Sequence, residues 1–279
     1  MNVIIGIDVG GSTTKIVGYS DDGKLIGRLQ VEAADPLTSA YGALGKFVNE
    51  KNLSLSQVKQ IVLTGVGASL FKNEIYGIPA RHVDEFQAIG LGGLALSKKK
   101  EAIIVSMGTG TAFVRADKDG IRHIGGSGVG GGTVIGLCGQ LCNARSFDTV
   151  VEMASQGDLN KVDLNIADIS SGEISTLSPD VTASNFGKMA DGFSSEDLAR
   201  GVLNMVFQTI GMLAVFACKN DNIKDVVLTG TLSTVPCAKT LFKQVERLYN
   251  IKFIIPTHSI YATATGAALS YIYRNGKKK

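Results

Sequence analysis

Histidine, cysteine and proline are all scarce in this 279-residue chain, at three, four and five residues. The histidines His82, His123 and His258 stand apart and make no H-x3-H or comparable spacing, which speaks against a histidine-built metal centre. Four cysteines in this length do not make a disulfide framework, so a cytoplasmic protein with reduced thiols is expected. Cys138 and Cys142 have C-x3-C spacing, but no second pair or nearby His completes a site, and they are expected to act as buried small hydrophobes. No apolar run reaches the roughly 18 residues of a membrane span. The opening stretch Met1–Asp8 has no basic region and soon meets an acid, unlike a signal peptide. No membrane partner is therefore expected. An excess of one charge is also missing: the net charge is +3, and Lys277-Lys278-Lys279 alone supply it. A neutral body argues against a nucleic-acid partner.

What the chain does have is apolar content and glycine. Hydrophobic residues make up 44% and charged residues 19%, which excludes a disordered chain. The length fits one large domain or two smaller ones. Thirty-four glycines without a collagen-like or linker-like period point to tight turns or close backbone approach to a ligand.

The strongest organising feature is an internal echo. Residues 3–27 read VIIGID-VGGST-TKIVGYS-DDG-KLIG, and residues 102–125 read AIIVS-MGTGT-AFVRA-DKDG-IRHIG. Each has an apolar run, a Gly/Thr-rich turn, a second run, an Asp-Gly turn and a third run. Asp-Gly between apolar runs marks a hairpin. Alternating elements follow. Helices are expected at Pro36–Lys51, Asp84–Leu96, Gly132–Asn143, Ser146–Gln156, Ser195 to about Lys219, Cys237–Tyr249 and Tyr261–Tyr273, and strands at Gln60–Thr64, Asp225–Leu228 and Lys252–Ile255. Gly157 fits a helix stop. Ser194 with Asp197 fits a capping box, and Leu198, Val202, Met205, Val206, Ile210, Leu213 and Ala214 keep a helical stripe behind it. The pattern predicts an α/β fold with a largely parallel sheet, duplicated into two lobes around a cleft. The boundary is expected near Lys98-Lys99-Lys100, giving lobes 1–98 and 99–279. Segment 158–193 is polar and shows little periodicity.

The turns carry the chemistry. In Gly6–Lys15, Gly10 and Gly11 let an anion approach the backbone, with the Ser12 and Thr13 hydroxyls beside it. Asp8 ends the strand where a carboxylate can hold Mg²⁺ through water, and Lys15 faces either phosphates or solvent. Gly108, Thr109, Gly110 and Thr111 repeat this turn, and two such loops across a cleft can hold a triphosphate. Gly130, Gly131, Gly132 and Thr133 lead into a helix whose N-terminal amides suit an anion. The run 126–131 matches G-x-G-x-x-G, with Glu152 lying 21 residues beyond Gly131, but no βαβ unit begins there, so a dinucleotide site is set aside. There is no G-x4-G-K-[ST]. Thr229, Gly230 and Thr231 end a strand, where open α/β sheets take ligands. Ile61–Gly67 repeats that V-L-T-G pattern in the first half.

These motifs resemble the phosphate-1, phosphate-2 and adenosine motifs of the sugar kinase, heat-shock chaperone and actin ATPase superfamily, a duplicated ribonuclease H-like fold. More narrowly, the chain resembles type II pantothenate kinases. The carrying stretches are His82–Phe86, Gly125–Cys138, Glu152–Asp158, Ala183–Gly187, Glu196–Arg200 and Tyr261–Ala267, in the family's order. The resemblance implies ATP-dependent phosphorylation of pantothenate at its primary hydroxyl to 4'-phosphopantothenate, the first step of coenzyme A synthesis. It implies Mg²⁺ as cofactor, Glu85 as the base that takes the alcohol proton, and a homodimer through a helical insert at about 140–220. Feedback by coenzyme A or its thioesters stays open. The family has a substrate-contacting Arg shortly before its GGGT run. His123 falls at that position and Arg122 beside it, and either can take the contact. Tyr261 matches a position near the distal end of pantothenate.

Three other readings compete. A sugar kinase of the same fold is the nearest, though the C-x-C-G-x-x-G-C and E-x-G-H motifs of one large sugar-kinase group are absent. An iron–sulfur ATPase activator is suggested by Cys138 and Cys142, but its cysteine-flanked V-G-G-Q-D segment is missing. A non-catalytic nucleotide or acyl-coenzyme A sensor would not need both Asp8 and Glu85.

Overall fold

The computed structural model describes residues 2–33, 35–170, 178–188 and 192–276. Residues 171–177 and 189–191 of the aperiodic segment, and the lysines 277–279, lie outside the described residues. The first half contains β1 (Val3–Val9), β2 (Thr13–Ser20), β3 (Leu25–Glu32), α1 (Pro36–Glu50), β4 (Val58–Thr64), β5 (Glu74–Ile75), β6 (Ile78–His82) and α2 (Glu85–Ser97). The second begins alike, with β7 (Ala102–Met107), β8 (Thr111–Asp117) and β9 (Gly120–Ser127). It continues through α3 (Gly131–Leu141), α4 (Phe147–Gln156), β10 (Leu164–Asn165), α5 (Ile166–Ile169), β11 (Thr182–Ser184) and α6 (Ser195–Asp221). It ends with β12 (Asp225–Thr229), α7 (Ala238–Tyr249), β13 (Lys252–Ile254) and α8 (Ala262–Gly276).

The two echoing segments form the two expected meanders. One builds a six-stranded sheet in the order β3-β2-β1-β4-β6-β5, the other a five-stranded sheet in the order β13-β12-β7-β8-β9. The sheets are mixed rather than largely parallel. Short turns can join only antiparallel neighbours, so β1–β2–β3 and β7–β8–β9 are antiparallel. Helical crossovers make β1–β4 and β7–β12–β13 parallel, and β4–β6 is parallel across a connection that holds a short 3-10 turn and β5.

Strand alternation fixes the layers. Val3, Ile5, Ile7 and Val9 of β1 pack under α1, while Ile4 faces Ala264, Ala267 and Ala268 of α8 and Ala88 of α2. In the second sheet Ile103, Val105 and Met107 face α6, and Ala102 and Ile104 face Ile89 of α2. Thus α2 and α8 lie between the sheets, and each crosses from its own half to the other. The last helix packs on the first sheet: a Cβ at Gly6 would lie 2.1 Å from Ala264 O. In turn, a Cβ at Gly93 of α2 would lie 2.5 Å from Ile104 of the second sheet. Where the two helices meet, a Cβ at Gly92 would lie 1.8 Å from Ala262 O, and one at Gly266 1.8 Å from Ala88 O. Only glycine permits that approach.

Helix α6 is long and apolar enough to cross a membrane by length and composition, with a mean hydropathy of 1.8 over 18 residues, yet 67% of that window is buried inside the protein. It begins with the expected capping box of Ser194 and Asp197. Its buried Asn204 donates to Asp163 Oδ2 at 2.6 Å, and Asp163 Oδ1 accepts from Phe186 N at 2.9 Å. That buried carboxylate ties the segment around β10 and β11 to the helix. The apolar stripe is not wholly internal: Leu213 is 38% and Phe216 59% exposed.

Candidate active site

Asp8 sits near the end of β1 on the face shared with Ile4 and Gly6, turned toward α2 and α8. Its register partners are Lys15 on β2 and Thr64 on β4. Burial pushes the Asp8 carboxyl above the usual carboxylate range, and the Lys15 ammonium opposes that shift. Lys15 is itself buried, and its Nζ donates to Thr13 Oγ1 at 2.7 Å, so it turns back toward the hairpin rather than out to solvent. The hairpin is closed by Gly10 N–H donating to Thr13 O at 3.1 Å. Gly11 and Ser12 form its exposed tip, and a Cβ at Gly11 would meet nothing within 4 Å. The tip is open for an anion to approach.

Glu85 opens α2, capped by Asp84, whose side chain accepts from Gln87 N at 3.0 Å. Burial, then the charge of Asp8, then that of Asp84, raise the Glu85 carboxyl above its ordinary value. The fold therefore brings Asp8 close enough for its charge to act on Glu85, although 77 positions separate them. The first turn of α2 is held by the second sheet: Gln87 Nε2 donates to Ile121 O at 3.1 Å, and Phe86 stacks on His123 with centroids 3.8 Å apart.

His123 and Arg122 part company on β9. His123 pairs with Val114, which lies on the face toward α2. Arg122 points to the opposite face, where its Nη2 meets Asp221 at 3.1 Å at the end of α6. Of the two, the structure brings His123 next to the start of α2 and leaves Arg122 apart from it.

The second glycine turn and the helix run close on each other. Gly131 N–H donates to Gly108 O and Gly132 N–H to Thr109 O, both at 2.8 Å, while Gly108 N–H donates to Gly110 O. Thr111 Oγ1 donates to Val129 O, and Gly130 N–H donates to Thr133 Oγ1 at 3.1 Å. The first amides of α3 thus serve to lock the two turns, with backbone so close that a Cβ at Gly130 would lie 2.6 Å from Thr109 O.

Thr229, Gly230 and Thr231 follow β12. Gly230 has φ +84°, and a Cβ there would lie 2.5 Å from Met107 O. Its counterpart Gly65 has φ +89°, against Asp8 and Val9. Gly230 therefore ties this turn to the end of β7, beside Gly108. Tyr261 packs at the start of α8 against the first sheet, in the cluster of Val17 and Tyr19, and burial raises its phenol pKa. Cys138 on α3 adjoins Cys142 just past the helix end, and burial pushes the Cys138 thiol up to about 12. Thr64 received no role from the sequence, although the V-L-T-G echo pointed to it.

A family profile described as Fumble matches residues 97–270. Type II pantothenate kinase of Bacillus cereus (strain ATCC 14579) is 29% identical over 241 residues, 83% of this chain and 84% of that protein. Type II pantothenate kinase of Staphylococcus aureus (strain USA300) is 29% identical over 237 residues, 81% and 84% of the two chains. Among solved structures, the activator of the 2-hydroxyisocaproyl-CoA dehydratase from Clostridium difficile with bound ADPNP superposes with a TM-score of 0.67 at 17% identity, covering 99% of this chain and 98% of that one. A ROK family protein from Streptococcus pneumoniae TIGR4 in complex with sucrose gives 0.62 at 12% identity, covering 99% of each chain. Likenesses this distant in sequence speak to the fold alone, which is the two-lobed actin-like ATPase fold.

Proposed function

The chain belongs to the Fumble family, and from that membership we infer that it transfers the γ-phosphoryl group of ATP to the primary hydroxyl of pantothenate, giving 4'-phosphopantothenate for coenzyme A synthesis. The observation that carries the mechanism is that Glu85 opens α2 within the electrostatic reach of Asp8, whose strand face is turned toward α2 and α8. Glu85 accepts the proton of the attacking alcohol. Its raised pKa keeps it a usable base while favouring proton uptake. Transfer of a phosphoryl group asks mostly for positioning and neutralised charge. Gly10–Thr13 and Gly108–Thr111 cradle the phosphates, with Lys15 beneath the first turn. Gly130–Thr133 shapes the second turn through its amide contacts, and Thr229–Thr231 lies at the nucleoside.

Asp8 would hold Mg²⁺. One carboxylate beside hydroxyl groups and substrate phosphates is a donor set this ion accepts, since it keeps several waters. When bound, the ion neutralises charge on the β- and γ-phosphates.

His123 takes the substrate contact, because it faces the start of α2 while Arg122 is engaged with Asp221. Tyr261 lines the distal end of the acceptor. Residues 1–98 and 99–279 act as the two lobes, with α2 and α8 as the packed crossing between them. The helical insert at about 140–220 forms a homodimer, supported by the exposed Leu213 and Phe216 on α6. Four free thiols fit a cytoplasmic enzyme; feedback by coenzyme A or its thioesters stays open. A coupled ADP-release assay across pantothenate, pantetheine and several hexoses tests the activity. Turnover of pantothenate is expected. Turnover of hexoses without pantothenate would overturn the substrate and leave the fold standing.

A further inference from the structure

Thr64, the last residue of β4, is 1% exposed, and its Oγ1 is buried with no hydrogen-bond partner. Thr64 pairs directly with Asp8 in the parallel β1–β4 register. Side chains paired in this way share a face of the sheet. Val62, two residues earlier, packs with Ile4 and Ala264, so this is the face turned toward α2 and α8. On the other flank β4 pairs with β6 as far as Leu63 and His82, and Val83 N–H donates to Leu63 O at 3.0 Å. The chain leaving β6 for Glu85 therefore passes beside Thr64. The hydroxyl stands between the strand bearing Asp8 and the segment bearing Glu85. Gly65 adds to this arrangement: a Cβ there would lie 2.7 Å from Asp8 Oδ1, so the carboxylate rests against the glycine that follows Thr64. The second half differs. The equivalent Thr229 donates its hydroxyl to Val105 O at 3.3 Å and pairs with Ser106, which is not an acid. Of these two equivalent threonines, only Thr64 keeps an unused hydroxyl, and it lies in the half that carries the acid.

We propose that Thr64 is a positioning residue for Asp8, its hydroxyl turning to donate a hydrogen bond to the ionised carboxylate and so fixing the carboxylate's orientation when Mg²⁺ and nucleotide bind. The proposal rests on the reading of Asp8 as the metal-side carboxylate. A hydrogen bond to a charged acceptor is among the stronger ones in proteins, so its loss weakens Mg²⁺-dependent nucleotide binding about tenfold. A buried hydroxyl without a partner lowers stability, so valine, of nearly the same shape, leaves the Tm unchanged or raises it.

The test compares wild type, Thr64→Val, Thr64→Ser and Asp8→Asn. Each is measured for Tm without ligand, and for affinity for a non-hydrolysable ATP analogue with Mg²⁺ and with EDTA. The proposal expects Thr64→Val to keep its Tm and its metal-free affinity and to lose about tenfold with Mg²⁺, and a Thr64→Val/Asp8→Asn double variant, measured alongside, to match Asp8→Asn alone. Thr64→Ser should stay near wild type. Wild-type Mg²⁺-dependent affinity in Thr64→Val overturns the proposal, and so does a parallel fall in Tm and in both affinities. Unchanged Mg²⁺ dependence in Asp8→Asn overturns the underlying role of Asp8. Pantothenate turnover enters none of these readouts, so a failed substrate assignment is seen separately.

Discussion

Replacing Gly92 by alanine sets two known effects against each other at the crossing of α2 and α8. Alanine is the better helix former by about 0.5–1 kcal/mol. Against that, the new Cβ would lie 1.8 Å from Ala262 O, where ordinary contact begins at 3.4 Å. Both are parts of packed helices, so one helix must move by about 1.5 Å, and overpacking of this kind costs about 1–3 kcal/mol or more. The clash wins by about 1–2 kcal/mol. For a chain of this size that lowers the Tm by about 2–8 °C. Because α2 carries Glu85 in its first turn, the shift also reaches the site. A misplacement of about 1 Å can cost about a hundredfold in rate. Gly45→Ala on α1 is the control: a Cβ there meets nothing within 4 Å, and only the propensity gain remains. Thermal melts and steady-state ADP release check both variants. If Gly92→Ala melts and turns over like wild type, the two helices do not form a rigid crossing and the reasoning fails.

Glu85→Gln keeps the shape of the side chain and removes the proposed base, so kcat should fall at least about a hundredfold while ATP affinity stays near wild type, as read by turnover and calorimetry. The raised pKa of Glu85 means that activity is lost as pH falls through a value above the ordinary glutamate range. Asp84→Asn keeps the helix cap but removes one of the charges that raises it, so the acidic limb of the kcat/KM profile should move to lower pH. An unmoved limb would assign that limb to another group. Phe216→Asp places a charge on the exposed apolar stripe of α6, and light scattering should then find a monomer with an unchanged far-UV spectrum. A variant with wild-type mass would refute the proposed dimer contact on α6.

Both meanders were legible because their signals are local. Asp-Gly turns, glycine-rich hairpins, the Ser194 capping box and the 3.6-residue stripe of α6 each act within a few residues, where propensity and turn chemistry decide. Tertiary packing decided the rest. That α8 leaves its own half for the first sheet depends on Gly6, Gly92 and Gly266 allowing backbone contact, and no periodicity records which distant carbonyl a glycine will meet. The division between Arg122 and His123 depends on strand pleat and on Asp221, about a hundred residues away in sequence. The nearness of Asp8 to Glu85, and the hydroxyl of Thr64 between β1 and the segment that leads to Glu85, arise only once β1, β4 and β6 lie side by side. Burial and neighbouring charge, which set the pKa of a base, are properties of that assembled neighbourhood and not of any single stretch of chain.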